Sequence, residues 1–108
     1  MRQDVTVQNF TDDQGNPAGG SAQSTGLYVR FQNGPLGRGG DREEPNGCFV
    51  ETLLDVCRQR LEFYQSFKFE CEENDRAIEH ILCALNALNS RTARREKSGI
   101  EGTHQEDE

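Results

Sequence analysis

Residues 71–104, CEENDRAIEHILCALNALNSRTARREKSGIEGTH, decide how the chain folds. Ala77, Ile78, Ile81, Leu82, Ala84, Leu85 and Leu88 recur three and four residues apart, a spacing that gathers them on one broad face of a helix. Glu70, Glu72, Glu73 and Asp75 crowd the start of that helix, and Arg91, Arg94, Arg95 and Lys97 crowd its end. Both clusters match the helix dipole, and Gly99 supplies a stop. An apolar face of this width must be buried against something.

The partner nearest in the chain is a first helix from about Cys48 to Gln65, with Asn46 or Gly47 as its cap. Val50, Leu54, Cys57, Leu61 and Tyr64 form its stripe, widened by Phe49, Leu53 and Val56. The segment SFKFE, residues 66–70, breaks the pattern, so the two helices are expected to close as an antiparallel hairpin. Two helices still leave apolar surface open. With 108 residues, 32% of them hydrophobic, one copy builds only a thin core, and a symmetric dimer of hairpins is the simplest remedy.

Ahead of the hairpin, Asp4 to Phe10 alternates with Val5 and Val7 on one face. Gly26 to Gln32 alternates with Leu27, Val29 and Phe31 on one face and Tyr28, Arg30 and Gln32 on the other. Two short strands fit these patterns. The stretch between them, TDDQGNPAGGSAQST, holds three glycines and a proline and reads as a long hairpin loop. Residues 33–47, NGPLGRGGDREEPNG, hold five glycines and two prolines, too many breakers for a regular element. Loops of that length in small domains are either solvated connectors or functional. The expected class is therefore α+β, a small antiparallel sheet followed by a helical hairpin completed by homo-oligomerisation. It is read as one domain over residues 1–108: strands and glycine-rich loop at 1–47, hairpin at 48–98 and tail at 99–108.

The net charge of −7 argues against binding a nucleic-acid duplex, while a small anion remains compatible with local clusters of cations. No apolar run approaches the roughly 20 residues needed to cross a bilayer, and the start, MRQDVTVQNF, lacks the apolar stretch of a signal peptide. A cytoplasmic protein is expected. The four cysteines, Cys48, Cys57, Cys71 and Cys83, lie 9, 14 and 12 residues apart, without the close pairs of zinc sites, and read as reduced structural thiols. Neither metal nor cofactor is expected.

Arg91 and Arg95 continue the line of Ala84 and Leu88, one helical turn apart, and guanidinium forks match phosphate oxygens. They are either a phosphate clamp or ordinary cations at a helix end. Tyr64, Phe67 and Phe69 flank the inter-helix turn near Asn74, offering ring faces for a base and an amide for its edge. Core packing is the alternative for the rings. Arg38 and Arg42 in the glycine-rich loop could close over an anion, and surface charge explains them equally well. His80 and Cys83 are close enough on a helix to touch, but no third group orients them, and His80 reads as a partly buried helix histidine. No catalytic constellation emerges.

The strings DDQGNPAGG, FQNGPLGRG, EPNGCFVETLLDV, RLEFYQSFKFEC, RTARRE and IEGTH, in that order over residues 10–105, resemble the phage family of Thoeris anti-defence sponges of the first-described type. The C-terminal hairpin is similar to that of the phage anti-CBASS sponge. The resemblance implies a protein that sequesters glycocyclic ADP-ribose signals without degrading them, in the cytoplasm of the infected host. For some members it also implies binding of cyclic trinucleotides in a separate pocket, within hexamers built as three dimers. By position, Tyr64 and Asn74 look like the contacts to glycocyclic ADP-ribose, and Arg91 and Arg95 look like the arginines of the helix end. Phe69 and Arg38 complete the candidate set. The alternatives are a hydrolase of the same nucleotides and a helical-hairpin scaffold that binds another protein.

Overall fold

A computed structural model describes residues 1–107. Strands β1 (Thr6–Thr11), β2 (Pro17–Ser24) and β3 (Leu27–Phe31) precede helices α1 (Val50–Tyr64) and α2 (Glu72–Lys97). This is the expected α+β order. The chain forms two compact units, one built from residues 1–49 with 100–107 and the other from Val50–Gly99.

In the first unit the strands form an antiparallel sheet in the order β1-β2-β3. The expected long loop between two strands is instead a third strand, and it occupies the centre of the sheet. Two turns make this possible. Asp12 accepts the Gln14 and Asn16 amides on Oδ1, each at 2.9 Å, closing the β1–β2 connection. Thr25 and Gly26 close the β2–β3 hairpin, with Gly26 at φ 76°, a backbone state that suits glycine. Between these turns PAGGSAQS needs no strand propensity, because both of its edges are paired. Val7, Ala22 and Val29 stand in one row across the sheet.

Ala22 and Val29 are buried and Phe31 is half-buried, as the alternation in β3 requires, whereas Leu27, expected on the same face, is exposed at the start of the strand. The expected apolar face of the first strand is not covered: Val5, just ahead of β1, and Val7 within it are both exposed.

The glycine-rich segment is irregular except for one 3₁₀ turn, Gly39–Asp41, where no regular element was expected. Its far end returns to β3. Cys48 donates to Arg30 O at 2.7 Å and accepts from the Gln32 amide at 3.1 Å, forming a parallel bridge with Phe31. Asn46, expected as a helix cap, instead locks this return. Its Oδ1 accepts from the Asn33 amide at 2.8 Å and its Nδ2 donates to Asn33 O at 2.9 Å. Gly47 passes so close that a Cβ there would meet the Phe31 carbonyl carbon and oxygen at 2.6 Å.

Residues 100–107, read from sequence as a tail, belong to this unit. Ile100 is buried with Ala22 and Val29. Arg42 grips Glu101 with both ends of its guanidinium, at 2.7 and 3.2 Å, Arg38 donates to Glu101 O at 2.8 Å, and the Gly37 amide donates to Gly102 O at 2.8 Å.

In the second unit α1 and α2 pack against each other through half-buried Leu53, Leu54, Leu61, Ala77, Ile78, Ile81, Ala84, Leu85 and Leu88. The boundaries agree with the expected helices to within two residues, and Gly99 ends α2 at φ 76°. Val50, Val56 and Leu82 remain exposed, so a two-helix interface covers only part of each apolar stripe. Neither helix is long and apolar enough to cross a membrane.

Candidate functional site

Helix α1 ends at Tyr64, and the chain turns through residues 65–71 before α2 begins. One side chain organises this turn. Gln65 Oε1 accepts the Cys71 amide and Asn74 Nδ2, both at 3.0 Å, while its Nε2 donates to Cys71 O and Asp75 Oδ1, both at 2.8 Å. Every donor and acceptor site of a glutamine amide is thereby used. The first turn of α2, which has no side-chain cap of its own at Cys71, is held by Gln65, the first residue after α1.

The turn encloses an open pocket of about 810 Å³ lined by Phe63, Tyr64, Ser66, Phe67, Lys68, Phe69 and Asn74. Its walls are mainly ring carbon. Phe63 and Phe67 meet edge to face with centroids 4.9 Å apart, and Phe63 and Tyr64 are tilted at 6.2 Å. Yet the rings are not a core: Phe63 is 48% exposed, Tyr64 44%, Phe67 53% and Phe69 76%. Core packing, the alternative for these residues, does not describe them in this chain. Asn74, which lines the pocket, gives one N–H to Gln65, and its Oδ1 accepts no hydrogen bond among the described residues.

Two cations escaped the sequence reasoning. The Arg60 guanidinium lies 4.9 Å from the Phe63 centroid and 5.0 Å from that of Tyr64, and its Nε donates to the Tyr64 hydroxyl at 3.2 Å. Lys68 Nζ sits 5.2 Å from the Phe69 centroid. The i, i+4 spacing of Arg60 and Tyr64 on one helix was the available signal. Gln65 offered none, because its partners lie beyond the turn.

Of the predicted site residues, then, Tyr64, Phe69 and Asn74 come together at one pocket. Arg91 and Arg95 do not join them, since Arg91 lies about 25 Å from Asn74 along α2 at 1.5 Å per residue. Arg91 is exposed and Arg95 is buried, and each already has an interaction partner. A buried arginine is not simple decoration of a helix end. Arg38 and Arg42, in the other unit, are engaged with Glu101.

His80 is exposed rather than partly buried, as is Cys83. All four cysteines are free; Cys48 and Cys71 are half-buried, whereas Cys57 and Cys83 are exposed and fill no core within the chain. Among the described residues no group of three or more His, Cys, Asp or Glu side chains could hold a metal ion. On α1, hydrogen bonds from Gln59 and then Arg58 hold the Asp55 carboxyl below its ordinary range. Hydrogen bonds that Arg58 donates to Asp55 first and to Glu62 second raise its guanidinium pKa.

Fold and site together define a small α+β protein with an open aromatic pocket at the turn of a helical hairpin. No protein-family model matches the chain. It is 43% identical over 77 residues to Thoeris anti-defense 1 of Bacillus phage SBSphiJ7, a match covering 71% of this chain and 51% of that protein. Over this stretch the chain is similar to a protein named for Thoeris anti-defence. It spans about half the length of that curated relative.

Proposed function

We propose that the protein is an anti-defence sponge that binds glycocyclic ADP-ribose, holds it without cleaving it and thereby blocks Thoeris signalling in the cytoplasm of the infected host. The observation that carries this reading is the 43% identity to a protein named for Thoeris anti-defence. The pocket at the hairpin turn supports it chemically. Tyr64 and Phe69 offer ring faces for a base, and stacking of a base on an aromatic ring contributes about 1 to 3 kcal/mol. The Asn74 Oδ1, an acceptor without a hydrogen bond among the described residues, can take one from the base edge. Sequestration asks for tight retention and no activated water.

Arg91 and Arg95 enter this reading through assembly. A second copy with its helices reversed brings one subunit's arginines toward the other's aromatic pocket, and the exposed Val56, Phe63 and Leu82 supply apolar surface for such a contact. The functional unit is then a homo-oligomer, a dimer or a hexamer of three dimers. Cyclic trinucleotides of the CBASS type are a second ligand class, held in a pocket other than the aromatic one.

The test is retention and release. Purified protein is incubated with glycocyclic ADP-ribose, freed of unbound ligand and heat-denatured; intact nucleotide is expected in the supernatant. A cleaved product formed with turnover would identify a hydrolase instead. A second reading, a hairpin that docks another protein, is favoured by the exposure of the four aromatic residues. It predicts no rise in melting temperature across a nucleotide panel, whereas a ligand that binds only the native state must stabilise it.

A further inference from the structure

A nucleotide brings phosphate charge into its pocket, and that charge needs a cation within direct reach. Arg91 and Arg95 lie far along α2 from the aromatic rings, and both already have partners. Two cations sit on the rings of the pocket, Lys68 within its lining and Arg60 beside it on Phe63 and Tyr64. Arg60 spends Nε on the Tyr64 hydroxyl, leaving its terminal nitrogens without a hydrogen bond or a carboxylate among the described residues. Lys68, which lines the pocket, likewise meets the Phe69 ring and no carboxylate.

Such freedom contrasts with their neighbours. Arg58, on the same helix, is bridged to Asp55 and Glu62, both at 2.8 Å, and Arg38 and Arg42 are taken by Glu101. In a chain of net charge −7 with 19 acidic residues, two cations at one pocket are instead seated over ring faces. A ring orients a cation without neutralising it. The full positive charge therefore stays available beside the surface on which a base would stack.

We infer that Arg60 and Lys68 contact the phosphate from the same subunit whose rings stack the base, so that base and phosphate are gripped at one hairpin turn whether or not a second copy adds its arginines. The inference deepens the nucleotide-binding reading and rests on it. The free edge of the Arg60 guanidinium suits two oxygens of one phosphate, and Lys68 adds a point charge beside Phe69. Arg60 also fixes Tyr64, so the stacking surface and the anion contact are set by one side chain.

The test compares wild type with the neutral double variant Arg60→Gln/Lys68→Gln and the charge-preserving double variant Arg60→Lys/Lys68→Arg. Affinity for glycocyclic ADP-ribose is measured by calorimetry between about 50 and 500 mM NaCl, a range over which exposed charges become screened. Melting curves verify folding of each variant. The neutral variant is expected to bind roughly tenfold more weakly at low salt and with a flatter salt dependence, as lost charge-assisted contacts require. The charge-preserving variant should recover most of both. Arg76→Gln serves as control, because Arg76 lies two residues beyond Asn74 and so faces away from it on α2. Wild-type salt dependence and affinity within twofold in the neutral variant, or an equal loss in the Arg76 control, would overturn the inference while leaving the nucleotide reading intact. No binding by wild type at any salt would instead remove the nucleotide reading and the inference with it.

Discussion

Gln65 shows how one amide can set a site. It accepts from the Cys71 amide and Asn74, and it donates to Cys71 O and Asp75, so it fixes the start of α2 and the orientation of Asn74 together. A typical net hydrogen bond contributes about 1 kcal/mol, and bonds sharing one amide do not add fully. Gln65→Ala is therefore expected to cost about 2 kcal/mol in urea denaturation and to weaken ligand retention by freeing Asn74. Asn74→Leu removes the polar edge and one of the four hydrogen bonds at Gln65: retention of glycocyclic ADP-ribose should fall, while stability should drop by about 1 kcal/mol, less than for Gln65→Ala. Tyr64, Phe69 and Asn74 were legible because a single turn gathers them from within eleven consecutive residues. Gln65 was not, because an amide's worth depends on partners whose placement exists only after the turn has closed.

At the scale of elements, the β3 return and the β1–β2 turn carry the sheet. Gly47 lies against the backbone of Phe31, where a Cβ has no room and no flexible side chain can yield. Gly47→Ala is expected to cost about 2 kcal/mol, with loss of amide protection at Gln32 and Cys48 in hydrogen exchange as the local readout. The Asp12 turn predicts a pH dependence. The amide hydrogen bond from Asn16, followed by that from Gln14, holds the Asp12 carboxyl below its ordinary 3.8. A depressed native pKa stabilises the fold fully above the ordinary value, and this stabilisation is lost as pH falls through the native value. Melting temperature should thus decline below about pH 4, and Asp12→Ala should flatten part of that decline. Strand β2 was illegible for a related reason: PAGGSAQS lacks β-branched and aromatic residues, and becomes a strand because its neighbours pair with both edges.

At the scale of the molecule, the end of the chain is a structural part of the first unit. Ile100 is buried, and Glu101 receives Arg42 in a two-pronged ion pair with Arg38 beside it. The arginines are 39 and 44% exposed against 19% for Glu101, so solvent weakens the pair. Glu101→Gln is expected to lower stability by about 1 kcal/mol in low salt and by less in high salt. The loss should appear in chemical denaturation followed by the Tyr28 signal. Arg38 and Arg42 looked from sequence like candidates for an anionic ligand; the glutamate that engages them lies 59 residues beyond Arg42.

What the sequence determined by itself was periodic or local. The spacing of apolar residues defined both helices, Gly99 ended the second, alternation placed Val29 inward, and the closeness of Tyr64, Phe69 and Asn74 outlined the pocket. Each depends on the geometry of neighbouring residues, which the repeat of a helix or strand dictates in advance. Tertiary structure alone decided the central strand, the union of Glu101 with the arginine loop, the exposure of Val5 and Val7 and the burial of Arg95. Those outcomes depend on which distant groups meet when the backbone must satisfy its hydrogen bonds, and no local pattern encodes such meetings.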